Sequence, residues 1–224
     1  MDPVARRRPP VKRRKREENA EAKFNALLHA ASKVVGEHGY RGASISRITE
    51  EANVAQGTFY SYFENRQDLF DQLLPRLGTE MLDFIKARTR GVVDVAERER
   101  LGFVAFFEFL VQNPDFLRVL NEAEQMAPAG HQHHFEIVVS NYLAALQRDW
   151  KDGKFPGFEE RELEVVVYVL LAARSYLALR YSREGDRVVA IPNWVSDAYL
   201  KFIMYGLLGR PAAGKSPEGE ARPD

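Results

Sequence analysis

Between Ser44 and Leu69 the chain sets small polar, aromatic and basic side chains in an order suited to gripping a polyanion rather than to breaking bonds. Gln56 and Thr58 have the polarity to read base edges: glutamine bonds bidentately to adenine, and a threonine methyl touches a thymine methyl. Gly57 between them lets the backbone come close. Tyr60 and Tyr62 offer hydroxyls to phosphates. Arg66 falls in the first turn of an expected helix, where its charge and the helix N-terminus both favour a phosphate. Ser44, Ser46 and Arg47 add further contacts to a nucleic-acid backbone. Other chemistry finds little to work with. There is no nucleophile–base pairing, no glycine-rich phosphate loop and no paired carboxylate motif, so an enzyme is not expected and no cofactor is implied. The chain has no cysteine, which removes disulfides, zinc fingers and thiol catalysis.

Those residues need elements that hold them in register. Phe24, Leu27, Leu28, Ala31, Val34 and Val35 recur at helical spacing and fall on one face. Gly39 is a natural stop for that helix, because glycine accepts the left-handed conformation. Ser44 caps a second, short helix that turns Ile45, Ile48 and Ala52 inward. Asn53 sits where the chain must turn and tolerates left-handed geometry, and Val54 follows as a buried pivot. A third helix is expected from about Gln56 to Tyr62, with Phe59 and Phe63 packing inward. Asn65 caps a fourth helix, with Asp68 three residues on and Leu69, Phe70, Leu73 and Leu74 on its apolar side. Residues 44–62 thus read as helix, turn, helix, the arrangement that offers its second helix to a DNA major groove.

The run from Ser44 to Leu69 resembles the signature of the TetR family of repressors (TetR/AcrR type). Its most diagnostic part is Gly57-x-Phe59-Tyr60-x-Tyr62-Phe63-x-x-Arg66-x-x-Leu69. The resemblance covers the first third of the chain, which is the part that family members share. Three positions depart from the usual pattern: Asn53 for glycine, Thr49 for alanine and Arg66 for lysine, each compatible with the same geometry. The resemblance implies phosphate contacts for the Tyr60 and Tyr62 hydroxyls, a homodimer on double-stranded operator DNA, and a four-helix bundle across the dimer axis.

The net charge of zero conceals an asymmetry. Residues 1–16 carry eight basic side chains against Asp2 alone, a net +7, and the remaining residues balance it. This stretch also has three prolines and few apolar residues, so it reads as a disordered basic arm. Residues 17–75 hold five basic and nine acidic side chains. A head of net −4 supplies little phosphate neutralisation, so the arm, Arg13 and Arg14 included, is expected to supply it along a minor groove. The expected organisation is 1–16 basic arm, 17–64 helix-turn-helix domain, 65–209 helical ligand-binding and dimerisation domain, and 210–224 flexible tail.

Beyond Pro75 the pattern is helical throughout, so the fold class is all-α. Helices are expected over 65–89, 95–112, 115–126, 130–152, 159–184 and 193–208. The run Val165 to Ala173 is apolar nearly all round and demands cover on both sides. With Leu200, Phe202, Ile203, Met204, Tyr205, Leu207 and Leu208 it forms the expected dimerisation surface. Phe103, Phe106, Phe107, Phe116, Phe135 and Tyr142 make an aromatic effector lining available, with Asn121, Arg174 and Ser175 as polar specificity groups. Arg174, interrupting an apolar helix, pairs either with an acidic ligand group or with Glu122 or Glu124. The aromatic set and Arg174 point to an acyl-thioester or an aromatic or fatty acid; a cationic drug is the alternative should Glu122 and Glu124 face the cavity. His131, His133 and His134 leave open a metal-responsive reading. Ligand binding would move the helix over 65–89, shared by both domains, and change the separation of the two heads. No apolar run reaches the roughly 20 residues of a membrane span, and the expected location is the cytoplasm.

Overall fold

The structure, a computed structural model, describes residues 11–185 and 187–207. The described chain forms helices α1 (Val11–Gly42), α2 (Ile45–Glu51), α3 (Gln56–Phe59), α4 (Arg66–Thr89), α5 (Val95–Gln112), α6 (Phe116–Met126), α7 (Pro128–Lys151), α8 (Leu163–Tyr181) and α9 (Asn193–Leu207). A 3-10 turn at Glu160–Glu162 leads into α8, and two short strands, β1 (Arg183–Glu184) and β2 (Arg187–Val188), pair antiparallel after it. The chain divides into two compact units. The first comprises the residues up to Gly78 together with Pro114–His134; the second comprises Thr79–Asn113 and the residues from Phe135 onward. Two helices, α4 and α7, contribute residues to both.

Three expectations need correction. Residues 11–16 are helical rather than part of a disordered arm. Lys and Arg are good helix formers, and here they run directly into the Glu- and Ala-rich start of the apolar-faced helix. The third helix ends at Phe59, not Tyr62, and residues 60–62 continue as turns. The last turn of the helix expected to reach residue 184 is replaced by the β1–β2 hairpin, because Gly185 takes a left-handed φ of 61° that reverses the chain. The outer arm at 1–10 and the tail at 210–224 lie outside the described residues.

In the first unit, Leu27, Leu28, Ala31, Val34 and Val35 of α1 are buried, as are Ile48, Phe59, Phe63, Leu69, Phe70, Leu73 and Leu74. Full burial of each large side chain contributes roughly 1.5–3 kcal/mol. Close approach of backbone closes the unit elsewhere: a Cβ on Gly130 of α7 would stand 2.6 Å from the Asp71 carbonyl oxygen of α4.

In the second unit α5 supplies the densest aromatic packing. Asp94 caps it, its carboxylate accepting the Glu97 N–H at 2.7 Å. Phe103, Phe106, Phe107 and Phe109 are all buried. The α8 helix buries Val167, Leu170, Arg174 and Ala178 along one stripe. Its opposite stripe, Val165, Tyr168, Val169, Tyr176 and Leu179, is exposed, as are Trp194, Phe202 and Tyr205 of α9. Within one chain this apolar helix is therefore covered on one side only.

Candidate DNA interface and effector site

The DNA-facing candidates owe their placement to short-range bonds. Ser44 has the extended backbone of an N-cap and its hydroxyl accepts the Arg47 N–H at 3.3 Å, starting α2. Thr49 is buried and its hydroxyl donates back to the Ile45 carbonyl at 2.9 Å, so a polar residue fits on the inner side of α2. Asn53 takes φ 52°, the left-handed turn that its place between α2 and α3 requires. Val54 is half-buried rather than a fully enclosed pivot. Asn65 Oδ1 accepts the Asp68 N–H at 3.0 Å and Asp68 Oδ2 accepts the Glu64 N–H at 2.9 Å, fixing the start of α4.

Around α3 the aromatic residues divide sharply. Phe59 and Phe63 are buried, with ring centroids 5.4 Å apart, and Phe24 of α1 stacks on Phe63 at 5.2 Å. Tyr60 is 59% exposed, Tyr62 is half-buried, Gln56 and Gly57 are exposed, and Thr58 is half-buried. No atom stands within 4 Å of a Cβ built on Gly57, so its face is open to a partner's approach. Ser46, Arg47 and Arg66 are exposed. Arg47 Nη1 donates to the Gly42 carbonyl at 2.8 Å, and the Arg66 guanidinium stands 5.4 Å from the Phe70 ring centroid. Arg13 and Arg14 lie in α1, and their side chains are outside the described set. Phe59 and Phe63 thus anchor the α2–α3 corner from within, and a run of polar and aromatic tips faces outward.

The expected effector residues do not form one group. Phe116 and Asn121 belong to the first unit, Phe116 buried and Asn121 exposed. In the second unit a buried polar cluster gathers around a residue the sequence reading passed over, Glu99. Its carboxylate accepts Arg174 Nη2 at 2.8 Å and the Tyr199 hydroxyl at 2.6 Å through Oε1, and the Tyr142 hydroxyl through Oε2. Arg174 therefore pairs with Glu99, and neither Glu122 nor Glu124 is its partner. Its guanidinium also stands 5.0 Å from the Tyr142 ring centroid, and Phe103 stacks on Tyr199 at 3.9 Å. The Arg174 Nε is buried with no hydrogen-bond partner. Burial alone lowers the Arg174 pKa; Glu99 and the two phenols more than offset this and hold the guanidinium charged. Desolvation pushes the Tyr142 and Tyr199 phenols up, so both remain protonated donors.

Phe106 and Phe107 pack edge to face at 5.2 Å, and Ser175 donates to the Leu171 carbonyl at 3.1 Å. Phe135 and Ser175 are half-buried. An open cleft of about 540 Å³ in this unit is lined by Leu143, Gln147, Glu159, Glu160, Arg161 and Glu164. None of the aromatic set belongs to its walls.

Glu99 left a signal. It stands four and seven residues before Phe103 and Phe106, on the buried face of α5. The charged run Glu97-Arg98-Glu99-Arg100 hides it by reading as a solvated helix start.

His131, His133 and His134 do not gather: among the described residues no group of three His, Asp or Glu side chains could hold a metal ion. His134 turns inward and is buried. Its ring occupies the space left by Gly78, where a Cβ would meet Nδ1 at 2.2 Å. Burial depresses its pKa to about 4.

Comparison with known proteins decides what this corner is. Residues 27–73 match the family of bacterial regulatory proteins, tetR family. This segment is a TetR-family regulatory domain. Over a longer span the chain is similar to the HTH-type transcriptional repressor KstR2 of Mycobacterium tuberculosis, 26% identical over 191 residues, or 81% of this chain and 90% of that protein. Two solved structures share the fold. The transcriptional regulator FadR of Bacillus subtilis, in complex with stearoyl-CoA, aligns with a TM-score of 0.67 at 17% identity, covering 82% of this chain and 98% of that one. AibR, in complex with isovaleryl coenzyme A and operator DNA, aligns with a TM-score of 0.60 at 13% identity, covering 80% and 97%. Among the described residues no helix is long and apolar enough to cross a membrane.

Proposed function

We propose that this TetR-family regulator is a repressor that binds a palindromic operator as a homodimer and leaves it when a small hydrophobic effector, an acyl-thioester or an aromatic or fatty acid, occupies the second unit. The observation that carries the DNA role is the α2–α3 corner, where Phe59 and Phe63 are buried and Gln56, Gly57 and Tyr60 stand exposed. Gln56 and Thr58 read bases; Tyr60, Tyr62, Ser44, Ser46, Arg47 and Arg66 hold phosphates; Gly57 allows close approach. The basic arm, with Arg13 and Arg14, supplies the neutralisation that a net-acidic head lacks. Such a protein acts in the cytoplasm, where its operator is, and has no enzymatic step.

The effector reading rests on the Glu99–Arg174 cluster. A buried guanidinium with an idle Nε–H beside the Tyr142 ring suits a ligand that brings an oxygen acceptor on an apolar body. The FadR and AibR structures hold acyl-CoA ligands on the same fold, which supports the acyl class. Glu122, one of the two acids on which a cationic ligand would depend, is engaged by Arg118 and the Tyr40 N–H, and Glu124 is exposed. The exposed apolar stripes of α8 and α9 support the homodimer, because patches of this kind mark association surfaces. Two helices, α4 and α7, carry residues of both units and give an effector in the second a covalent route to the first.

The test is fluorescence anisotropy of the protein on DNA from its own upstream region, titrated with stearoyl-CoA, isovaleryl-CoA, free fatty acids and a cationic dye. Release by an acyl ligand is the expected result. Release by the dye alone would overturn the effector class.

A further inference from the structure

In the first unit α1 breaks at Gly39, whose backbone (φ 68°, ψ 168°) is far from helical. An uninterrupted helix would join the Tyr40 N–H to the Gly36 carbonyl four residues back. The break orphans both groups, and two side chains of α6 take them up. Arg118 Nη1 donates to the Gly36 carbonyl at 2.9 Å, and Glu122 Oε2 accepts the Tyr40 N–H at 2.9 Å. Arg118 Nε and Glu122 Oε1 close the circuit at 2.8 Å. The ion pair is thus inserted into one broken rung of the helix. Gly39 is what admits it: a Cβ there would stand 2.9 Å from both Arg118 Nη2 and Glu122 Oε2. Gly36 is constrained in the same way, since a Cβ on it would collide with the Asp115 carboxylate at 1.8 Å.

The rung lies immediately before the DNA-binding corner. The Tyr40 ring is fully buried and meets Phe70 of α4 edge to face at 4.8 Å. Two residues later the Gly42 carbonyl accepts both Arg47 Nη1 at 2.8 Å and the Ser44 N–H at 3.1 Å. Ser44 then caps α2. From the α6 ion pair to the first turn of α2 the path runs through hydrogen bonds and the short backbone stretch from Tyr40 to Gly42. Burial alone pushes the Glu122 carboxyl up; the bonds from Arg118 and the Tyr40 N–H outweigh it and keep the carboxylate ionised.

We propose that Arg118 and Glu122 are positioning residues for operator recognition: by bridging the broken rung between Gly36 and Tyr40 they fix the angle at which α2, and α3 after it, meet DNA. A charge-assisted bond to a stray backbone group could serve stability alone. What points to positioning is that the bridged rung sets the entry to α2, and that Gly39 makes room for it. This inference rests on the operator-binding reading above.

The experiment measures anisotropy on the protein's own upstream DNA and on unrelated DNA of equal length. It compares wild type, Glu122→Ala, Glu122→Gln, Arg118→Lys and the control Arg98→Ala, which breaks the Arg98–Asp149 pair of the second unit. Glu122→Ala and Arg118→Lys should lose about tenfold in affinity for the operator, the equivalent of one charge-assisted hydrogen bond. Their affinity for unrelated DNA, which depends on charge rather than angle, should hold. Glu122→Gln, which keeps an acceptor for the Tyr40 N–H, should recover most of the loss. Arg98→Ala should lower the melting temperature without changing the preference for operator. If Glu122→Ala does not fold, Arg118→Lys carries the same comparison. Operator preference unchanged in Glu122→Ala and Arg118→Lys, or lost equally in Arg98→Ala, overturns the positioning role and leaves the operator-binding reading intact. A wild-type chain with no preference for any upstream DNA overturns both.

Discussion

The α2–α3 corner and the Glu99 cluster hold polar groups in place by opposite means. At the corner the bonds that set its caps and turns join near neighbours: Ser44 to Arg47, Thr49 to Ile45, Asn65 to Asp68. In the cluster one carboxylate gathers donors 43, 75 and 100 residues away in sequence. The corner leaves its tips exposed to a partner. The cluster shuts its charges away from water, where each depends on the others. Loss of a corner residue should therefore change recognition and spare the fold, whereas loss of a cluster residue should damage the fold first.

The largest expected effect follows from the cluster. Glu99→Ala leaves the Arg174 charge buried and uncompensated, which costs about 3–5 kcal/mol, read as a fall in the urea midpoint. Glu99→Ala with Arg174→Met should cost much less than the sum of the single changes. Additive costs would show that the two are not coupled and would erase the contrast with the corner.

A second effect comes from His134, whose buried ring fills the space beside Gly78 in the first unit. Its folded pKa of about 4 lies below the ordinary 6.5 because of burial, so the folded state keeps the imidazole neutral. As pH falls through 6.5 the unfolded chain takes up a proton that the folded chain refuses. Stability present above pH 6.5 is lost progressively down to pH 4, by about 3 kcal/mol, and the term is flat below. His134→Gln should flatten this part of the profile. An unchanged profile would assign the acid sensitivity to other groups.

The smallest stability effect belongs to the corner. Gln56→Ala and Thr58→Ala should leave the melting temperature unchanged. Each should remove about 1–3 kcal/mol of discrimination between operator and a variant altered at the contacted base. A change in affinity equal on both DNAs would move these residues from base reading to backbone contact.

This contrast also explains what the sequence disclosed. Ser44 as a cap, Asn53 as a left-handed turn and Phe59 and Phe63 as inner anchors were legible because each follows from its own type and its immediate neighbours. The extent of α3 was less so: Tyr60 to Tyr62 keep helix-compatible residues but continue as turns, a choice made by how Phe59 and Phe63 pack. The start of α1 at Val11 was hidden by a composition that suits either a helix or a solvated arm. The partner of Arg174 was illegible, because Glu99 and Glu122 are equivalent as acids and only the fold brings one of them near. The same holds for Arg118 and Glu122, whose ordinary i,i+4 spacing gives no hint that the pair completes a broken rung of another helix.

The most direct test of the account is a hydroxyl-radical footprint of the protein on DNA from its own upstream region. The α2–α3 corner, carried twice in a homodimer, predicts two protected patches on one face of the duplex. They should be related by a dyad and centred roughly 34–36 Å apart or a multiple of that, and Gln56→Ala should weaken them. Uniform protection without a preferred site, or a single patch with no dyad, would contradict it.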